Sequence, residues 1–220
     1  MPIGVPTTPT YALSDYLAEL RRLVHDPNDV YWSQADKISN INKAIQRRDL
    51  DTGANRQLVT FSLTVGVDTY TFPQIGVANV FDVVGINLIF VSNRAILANT
   101  SFRRLNKLYR PWTPYQGVCE GWARYGPNTI VFGPTPSFAY TTEWDVCVYS
   151  APNLLVNLAD TDPLPYPYSE PVVYYAAHLC KINERAGDEA AEFFAMYQEK
   201  IGVGLNARTG MVPSFYGSGR

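Results

Sequence analysis

The hydrophobic period of this 220-residue chain changes twice, from helical spacing to strand alternation and back, and this restricts its possible folds more than any single motif. Near the start, Leu13, Tyr16, Leu17, Leu20, Leu23 and Val24 recur at three- and four-residue steps, the mark of one buried helical face. Ser14 is the expected cap of that helix and Pro27 its end, because proline disfavours helical geometry in the residue before it. A second start signal, Ser33-Gln34-Ala35-Asp36, resembles a capping box with Asp in place of Glu. From there Ala35, Ile38, Ile41, Ala44 and Ile45 share a face, Lys43, Arg47 and Arg48 are expected outward, and Gly53 is a natural stop.

From about Gln57 the period becomes two. Val59, Phe61, Leu63 and Val65 alternate with Thr60, Ser62 and Thr64, as in a half-buried strand. Gly66-Val67-Asp68 then leads to Thr69–Pro73, so a hairpin is expected between these two runs. Val80–Val91 reads as one or two strands, with further strands at Ala95–Leu97, Trp122–Tyr125, Thr129–Phe132 and Trp144–Tyr149, separated by Gly/Pro/Asn turns. Together these form a small antiparallel sheet or barrel.

Helical spacing returns after the proline-rich run Asp162–Tyr168. Ser169-Glu170-Pro171 is a helix start, with Val172, Tyr175, Ala176, Leu179 and Ile182 inward and Gly187 as its stop. Asp188 caps a last helix carrying Ala191, Phe194, Tyr197 and Ile201 inward, and the pattern ends at Gly202 and Gly204. The expected fold is therefore α+β. N- and C-terminal helix pairs form a four-helix body, an antiparallel β-rich region is inserted between them, and an extended C-terminal arm follows. The corresponding boundaries are a lead over residues 1–12, the first half of the body over 13–56, the insertion over 57–150, a Pro/Tyr-rich connector over 151–168, the second half over 169–205 and the arm over 206–220.

Composition narrows the function classes. Charged residues are only 17% of the chain, against about 25% in typical soluble domains, whereas 15 Tyr and 10 Phe supply the flat amphipathic side chains that interfaces favour. A net charge of −2 makes the chain as a whole no polyanion binder. Cys119, Cys147 and Cys180 are too few and too scattered for a disulfide framework or zinc site, so no cofactor or metal is expected. No nucleotide-binding, zincin or nucleophile-elbow motif occurs. His25 reads as a helix-end residue, and His178 and Cys180 fall on different helical faces, so no catalytic residue is assigned. Asp49, Asp51, Asp160 and Asp162 read as turn and solvated carboxylates. Met1–Thr10 lacks the basic-then-apolar pattern of a signal peptide, and Val77–Val91 is too short and polar to span a bilayer. No membrane partner is expected.

Several local patterns in order carry a resemblance. They are Leu13–Val24 followed by Asp29, Trp32-Ser33 and Ile41-Asn42-Lys43-Ala44, then Thr69-Tyr70-Thr71-Phe72-Pro73, then Gly126–Pro136 with its Pro-Thr-Pro. Ala151-Pro152 with Leu154-Leu155, Asp160–Leu164 with Tyr168, and Gly187-Asp188-Glu189-Ala190 complete the series. From about Leu13 to Ile201 the chain resembles the head-to-tail adaptor proteins of tailed bacteriophages, also called head-completion or connector proteins. The resemblance implies a structural virion protein of the head–tail interface, assembled in the host cytoplasm. It implies a ring, usually of twelve copies, beneath the portal, which extends the DNA channel and offers a platform for tail or nozzle proteins. It also implies that the C-terminal extension, here Asn206–Arg220, reaches the portal.

The basic residues Arg94, Arg103, Arg104, Lys107 and Arg110, with no Asp or Glu among them and with Phe102, Tyr109, Trp112 and Tyr115 interleaved, are candidate contacts for DNA or an acidic partner. In the C-terminal segment Arg208, Met211, Phe215, Tyr216 and Arg220 are the candidate docking residues. The alternative readings are a carbohydrate- or receptor-binding module of a phage tail, with Trp112, Trp122, Tyr115 and Tyr125 stacking on sugars, a tail-tube or stopper component, and an unrecognised hydrolase using Cys119 or Cys180.

Overall fold

A computed structural model of the chain describes residues 10–89, 94–108 and 116–210, with backbone only at Leu108 and at residues 206–210. The chain divides into two units: residues 1–54 with 150–220, and residues 55–149 between them.

The first unit holds α1 (Leu13–Leu23) and α2 (Gln34–Thr52) from the start of the chain, and the two longest C-terminal helices from its end. α1 buries Leu13, Tyr16, Leu17 and Leu20, the face its spacing specifies. Its cap differs from expectation. Ala12, not Ser14, is the N-cap; the Asp15 carboxylate accepts the Ala12 N–H at 3.0 Å, and the Leu13 and Ser14 N–H groups donate to the Asp160 and Leu158 carbonyls. A loop distant in sequence thus satisfies donors that a local side chain usually takes. α2 starts as read, with Ser33 Oγ accepting the Asp36 N–H, and stops at Gly53, whose φ of 56° is the left-handed conformation glycine adopts without penalty.

The second unit follows. Its strands are β1 (Arg56–Leu63), β2 (Thr69–Thr71), β3 (Val80–Ile89), β4 (Arg94–Ile96) and β5 (Ala98–Asn99), then, after the short helix α3 (Phe102–Leu108), β6 (Gln116–Gly117), β7 (Gly121–Arg124), β8 (Thr129–Gly133), β9 (Thr135–Pro136) and β10 (Tyr140–Val148). One sheet is antiparallel throughout, in the order β1-β10-β3-β4; a second runs β2-β8-β7-β5, and β6 pairs with β9. Among the described residues, only β5–β7 and β6–β9 are parallel. The expected hairpin between β1 and β2 does not form. β1 matches all eight of its residues to β10, whereas β2 has three residues and joins β8. The longer ladder fixes more backbone hydrogen bonds and seals the core, outweighing the cheaper local closure. Trp144 lies at the centre of that core, edge-on to Phe132 and Phe61 at centroid distances of 5.5 and 6.5 Å. Its Nε1–H donates to Thr142 Oγ1 at 2.7 Å, so the buried indole keeps its polar end satisfied.

The first unit resumes with α4 (Glu170–Asn183) and α5 (Gly187–Gly210). Ser169 makes no side-chain cap bond, and its hydroxyl is buried without a partner among the described residues. α4 buries Val172, Val173, Ala176, Ala177 and Cys180, while Ile182 is exposed. Its inner face is therefore turned away from the one read through Leu179 and Ile182, because small residues let α2 approach closely; Asn40 donates to Cys180 Sγ at 3.3 Å. Gly187 opens α5 instead of closing α4, and Ala190, not Ala191, is the buried alanine. α5 also continues through Gly202 and Gly204 to Gly210, so Asn206–Gly210, expected in an extended arm, is helical. A Cβ at Gly204 would come within 3.3 Å of the Tyr168 ring, so glycine there is a packing requirement and not a stop.

Leu13, Leu17, Leu20, Ile41, Ile45, Leu155, Val172 and Ala176 make up the core of α1, α2 and α4. α5 is fastened to α2 by Tyr197 OH on Asp51 (2.8 Å) and to α4 by Lys200 on Glu170 (2.7 Å) and His178 Nδ1 on the Ala190 carbonyl (2.7 Å).

Candidate interaction surfaces

The basic segment, read as a loop, contains α3. Ser101 Oγ accepts the Arg104 N–H at 3.2 Å, Leu105 is fully buried, and the Phe102 ring lies 4.6 Å from that of Tyr125. With 100° between successive residues, Arg103 and Lys107 fall on the face opposite Leu105, and Arg104 lies on the flank next to Lys107. All three are exposed, and none makes an ion pair among the described residues. Arg94 lies elsewhere, in β4, with its guanidinium 2.8 Å from Glu143. Arg110, Tyr109, Trp112 and Tyr115 lie outside the described residues. The fold thus gathers three of the five candidate cations on one helical face and engages a fourth in an ion pair. A helix of seven residues is too short for its periodicity to be read from sequence.

Arg48, expected outward, is completely buried. Its Nη1 donates to Asp162 at 2.5 Å, and Nη2 and Nε donate to Asp49 at 2.8 and 3.2 Å. Tyr16 OH donates to the same Asp162 oxygen (2.7 Å), and the Ser150 N–H and hydroxyl donate to Asp49 (2.9 and 2.6 Å). Burial would lower the Arg48 pKa, but Asp162 and Asp49 more than offset it and raise it. Burial and the adjacent Asp162 push the Tyr16 phenol far above its ordinary value. Asp49 and Asp162 are therefore internal counter-ions and not solvated turn residues. Asp160 does act in a turn, accepting the Val156 and Asn157 N–H groups.

A second polar cluster, of which the sequence patterns mark only Asp29 and Trp32, fixes the connection from α1 to α2. The Asp26 carboxylate accepts the N–H groups of Val30, Tyr31 and Trp32 at 2.8, 3.3 and 3.0 Å, together with Lys37 Nζ at 3.0 Å. Lys37, fully buried, also reaches Asp29 at 2.7 Å, and Arg21 grips Asp29 through Nε and Nη2 at 2.9 and 2.5 Å. The hydrogen bonds from Arg21 and Lys37 hold the Asp29 carboxyl well below the usual carboxylate range. For Asp26, burial acts upward, but the Lys37, Trp32 and Val30 donors outweigh it and lower its pKa. His25 and Asp29 sit at φ of 55° and 56°, a strained region for non-glycine residues that the surrounding bonds enforce.

Among the described residues, the cysteines, His178 and Trp122 that enzymatic or sugar-binding readings rely on are engaged within the fold. All three cysteines are buried, and burial pushes the Cys119 thiol up to about 12. His178 packs against Tyr175 and Phe194. Trp122 is 2% exposed and has no face to offer a sugar, whereas Tyr125 stays exposed against Phe102. Among the described residues no group of side chains is arranged to hold a metal ion, and no helix is long and apolar enough to cross a membrane. Arg208 falls in the last turn of α5; Met211, Phe215, Tyr216 and Arg220 lie outside the described residues.

The pattern of SU10 adaptor protein matches residues 5–214, which takes in both units. No curated protein matches the chain.

Proposed function

The chain belongs to the SU10 adaptor protein family of phage head-to-tail adaptors, and on that premise we propose that copies of it form a ring beneath the portal. The family makes it a structural component of the virion, working with portal and tail components. In the proposed arrangement α1, α2, α4 and α5 form a four-helix body that builds the ring wall, and the residues after α5 dock on the portal. The ring extends the DNA channel and presents a platform for tail or nozzle proteins. Arg103, Arg104 and Lys107 on α3 line the conduit. A ring repeats that cationic face in every copy, so a subunit of net charge −2 still offers passing phosphates a positive collar. The chain acts through interfaces and not through bond chemistry.

The observation that carries this reading is the family match from residue 5 to residue 214, across both units. The test is a phage in which this chain is not made. DNA-filled heads without tails are expected in electron micrographs, and normally tailed heads would refute the reading. Removing residues 211–220 should leave the far-UV spectrum unchanged while the chain fails to join portal-bearing heads; normal incorporation would refute the docking role of that segment.

A further inference from the structure

The sheet β1-β10-β3-β4 ends in β1 on one side and β4 on the other. β1 contains neither proline nor lysine and pairs with β10 in one unbroken register. Natural sheets usually blunt such an edge, because its unpaired N–H and C=O groups template a further strand. In an antiparallel ladder these groups alternate between the two sides of the strand. The Val148 N–H donates to the Asn55 carbonyl, one step before β1 in the same register, so Val59 and Phe61 bond toward β10. Leu58, Thr60 and Ser62 then aim their backbone groups at the free side, where no strand joins them among the described residues. All three residues are exposed, and Val59 and Phe61 between them are only partly buried against the core.

β4 forms the complementary edge. The Leu97 N–H donates to the Ile86 carbonyl, so Ala95 bonds toward β3, while Arg94 and Ile96 turn their backbone groups outward. Strand direction alternates across the whole sheet, and β4 therefore runs opposite to β1. A second copy related by the rotation of a ring brings its β1 antiparallel to β4 of the first, with no strand reversed. The side chains agree. Thr60, Glu143, Asn87 and Ile96 are cross-strand neighbours, so Ile96 and Leu58 share the face of the sheet that points away from Trp144. At 76% and 64% exposed, these two are the most exposed large hydrophobic side chains of their unit among the described residues. They lie at opposite edges of one face, where each lacks the apolar cross-strand neighbour that the other can supply.

We propose that β4 of one copy pairs antiparallel with β1 of the next, Ile96 opposite Leu58 and Arg94 opposite Thr60, so that one continuous sheet joins neighbouring members of the ring. The register follows from the outward backbone groups, since only Arg94 and Ile96 on one strand and Leu58, Thr60 and Ser62 on the other can exchange hydrogen bonds. Two different edges make a heterologous contact, which propagates in one direction and closes when the rotation allows. The added strand also covers Val59 and Phe61 at the rim of the core. This inference rests on the ring proposed above and names the strands that join its members.

Disulfide trapping within assembled particles tests it. The three native thiols are buried, so introduced surface cysteines are the reactive ones. Directly opposed residues that exchange backbone hydrogen bonds stand about 5.5 Å apart at Cα, within the span of a disulfide. Particles assembled from the full-length Leu58→Cys/Ile96→Cys double variant, oxidised and run without reductant, are expected to give a ladder of covalent multimers beyond the dimer. Either single variant should stay monomeric. Efficient dimers from Leu58→Cys alone, or particles that contain the double variant only as monomer, overturn the pairing. Should the double variant fail to enter particles, Thr60→Val and Thr60→Pro decide. Proline is tolerated on an edge strand whose N–H faces solvent, so both chains should keep the parent far-UV spectrum. Thr60→Val retains the N–H and should enter normally. Thr60→Pro should be depleted about tenfold or more, because every joint of the ring loses a hydrogen bond; its undiminished entry overturns the pairing. Particles in which imaging shows no ring would overturn the ring reading itself, an outcome distinct from a ring whose members do not cross-link here.

Discussion

Replacing Arg48 by methionine tests the internal charge network of the helical unit. Methionine keeps most of the side-chain volume, so the loss is electrostatic: Asp49 and Asp162, both fully buried, lose their shared counter-ion. Removing one partner of a buried ion pair costs about 3–5 kcal/mol. The carboxylates would keep the hydrogen bonds from Tyr16, Ser150 and the Leu164 N–H, which places the expectation near the lower bound, about 3 kcal/mol. Domains of this kind have about 5–15 kcal/mol in all, and for a chain of this size the loss lowers Tm by roughly 6–12 °C. Far-UV ellipticity during urea and thermal unfolding reads the effect, since the long helices all belong to this unit. A second change, Asp162→Asn, removes one orphaned charge while leaving an oxygen for Tyr16. It should recover about 1–2 kcal/mol of the loss, within the usual range for coupled neighbours. An Arg48→Met chain within about 1 kcal/mol of the parent, or a double variant no more stable than the single one, would refute the reasoning.

The two glycines near the end of α5 should respond with opposite sign. Gly202→Ala meets nothing within 4 Å and should stabilise by up to about 1 kcal/mol, whereas Gly204→Leu drives into the Tyr168 ring and should cost about 1–3 kcal/mol; urea midpoints compare them. Because the Asp29 pKa is depressed in the fold, its contribution is present above the unfolded carboxylate value of about 3.9 and is lost as pH falls from there toward the native value. The Asp26 carboxylate, also lowered in pKa, holds the Val30–Trp32 amides, so their hydrogen exchange, corrected for intrinsic rates, should accelerate as pH falls below about 3.9, and protection unchanged down to acid pH would contradict the clamp. Cys119, raised to about 12 by burial, favours the fold below the unfolded thiol value of about 8.5 and disfavours it progressively as pH rises toward 12. A native chain at neutral pH should therefore resist maleimide until urea unfolds it, and fast labelling without urea would contradict the burial.

Local rules account for what was legible in the sequence. The apolar faces of α1 and α2, the Ser33 cap, the Gly53 stop and the strand character of β1, β3, β7, β8 and β10 depend on spacing and on residues within one turn of each other. The α+β class follows from those signals, and the ordered series of weak patterns was enough to place the chain among phage adaptors. What the sequence could not specify depends on partners far along the chain. The choice of β10 over β2 as the neighbour of β1 is settled by which pairing closes the core around Trp144. Arg48 lies in a run of polar residues that reads as solvated, and only the arrival of Asp162, 114 residues later, makes its burial tolerable. The Val30–Tyr31 tip carries no motif, and its order comes from Arg21, Asp26 and Lys37 converging on one loop. Periodicity and capping report the environment of a residue's near neighbours, but the burial of a charge or the pairing of an edge is a free-energy balance struck with residues that only the tertiary fold brings within reach.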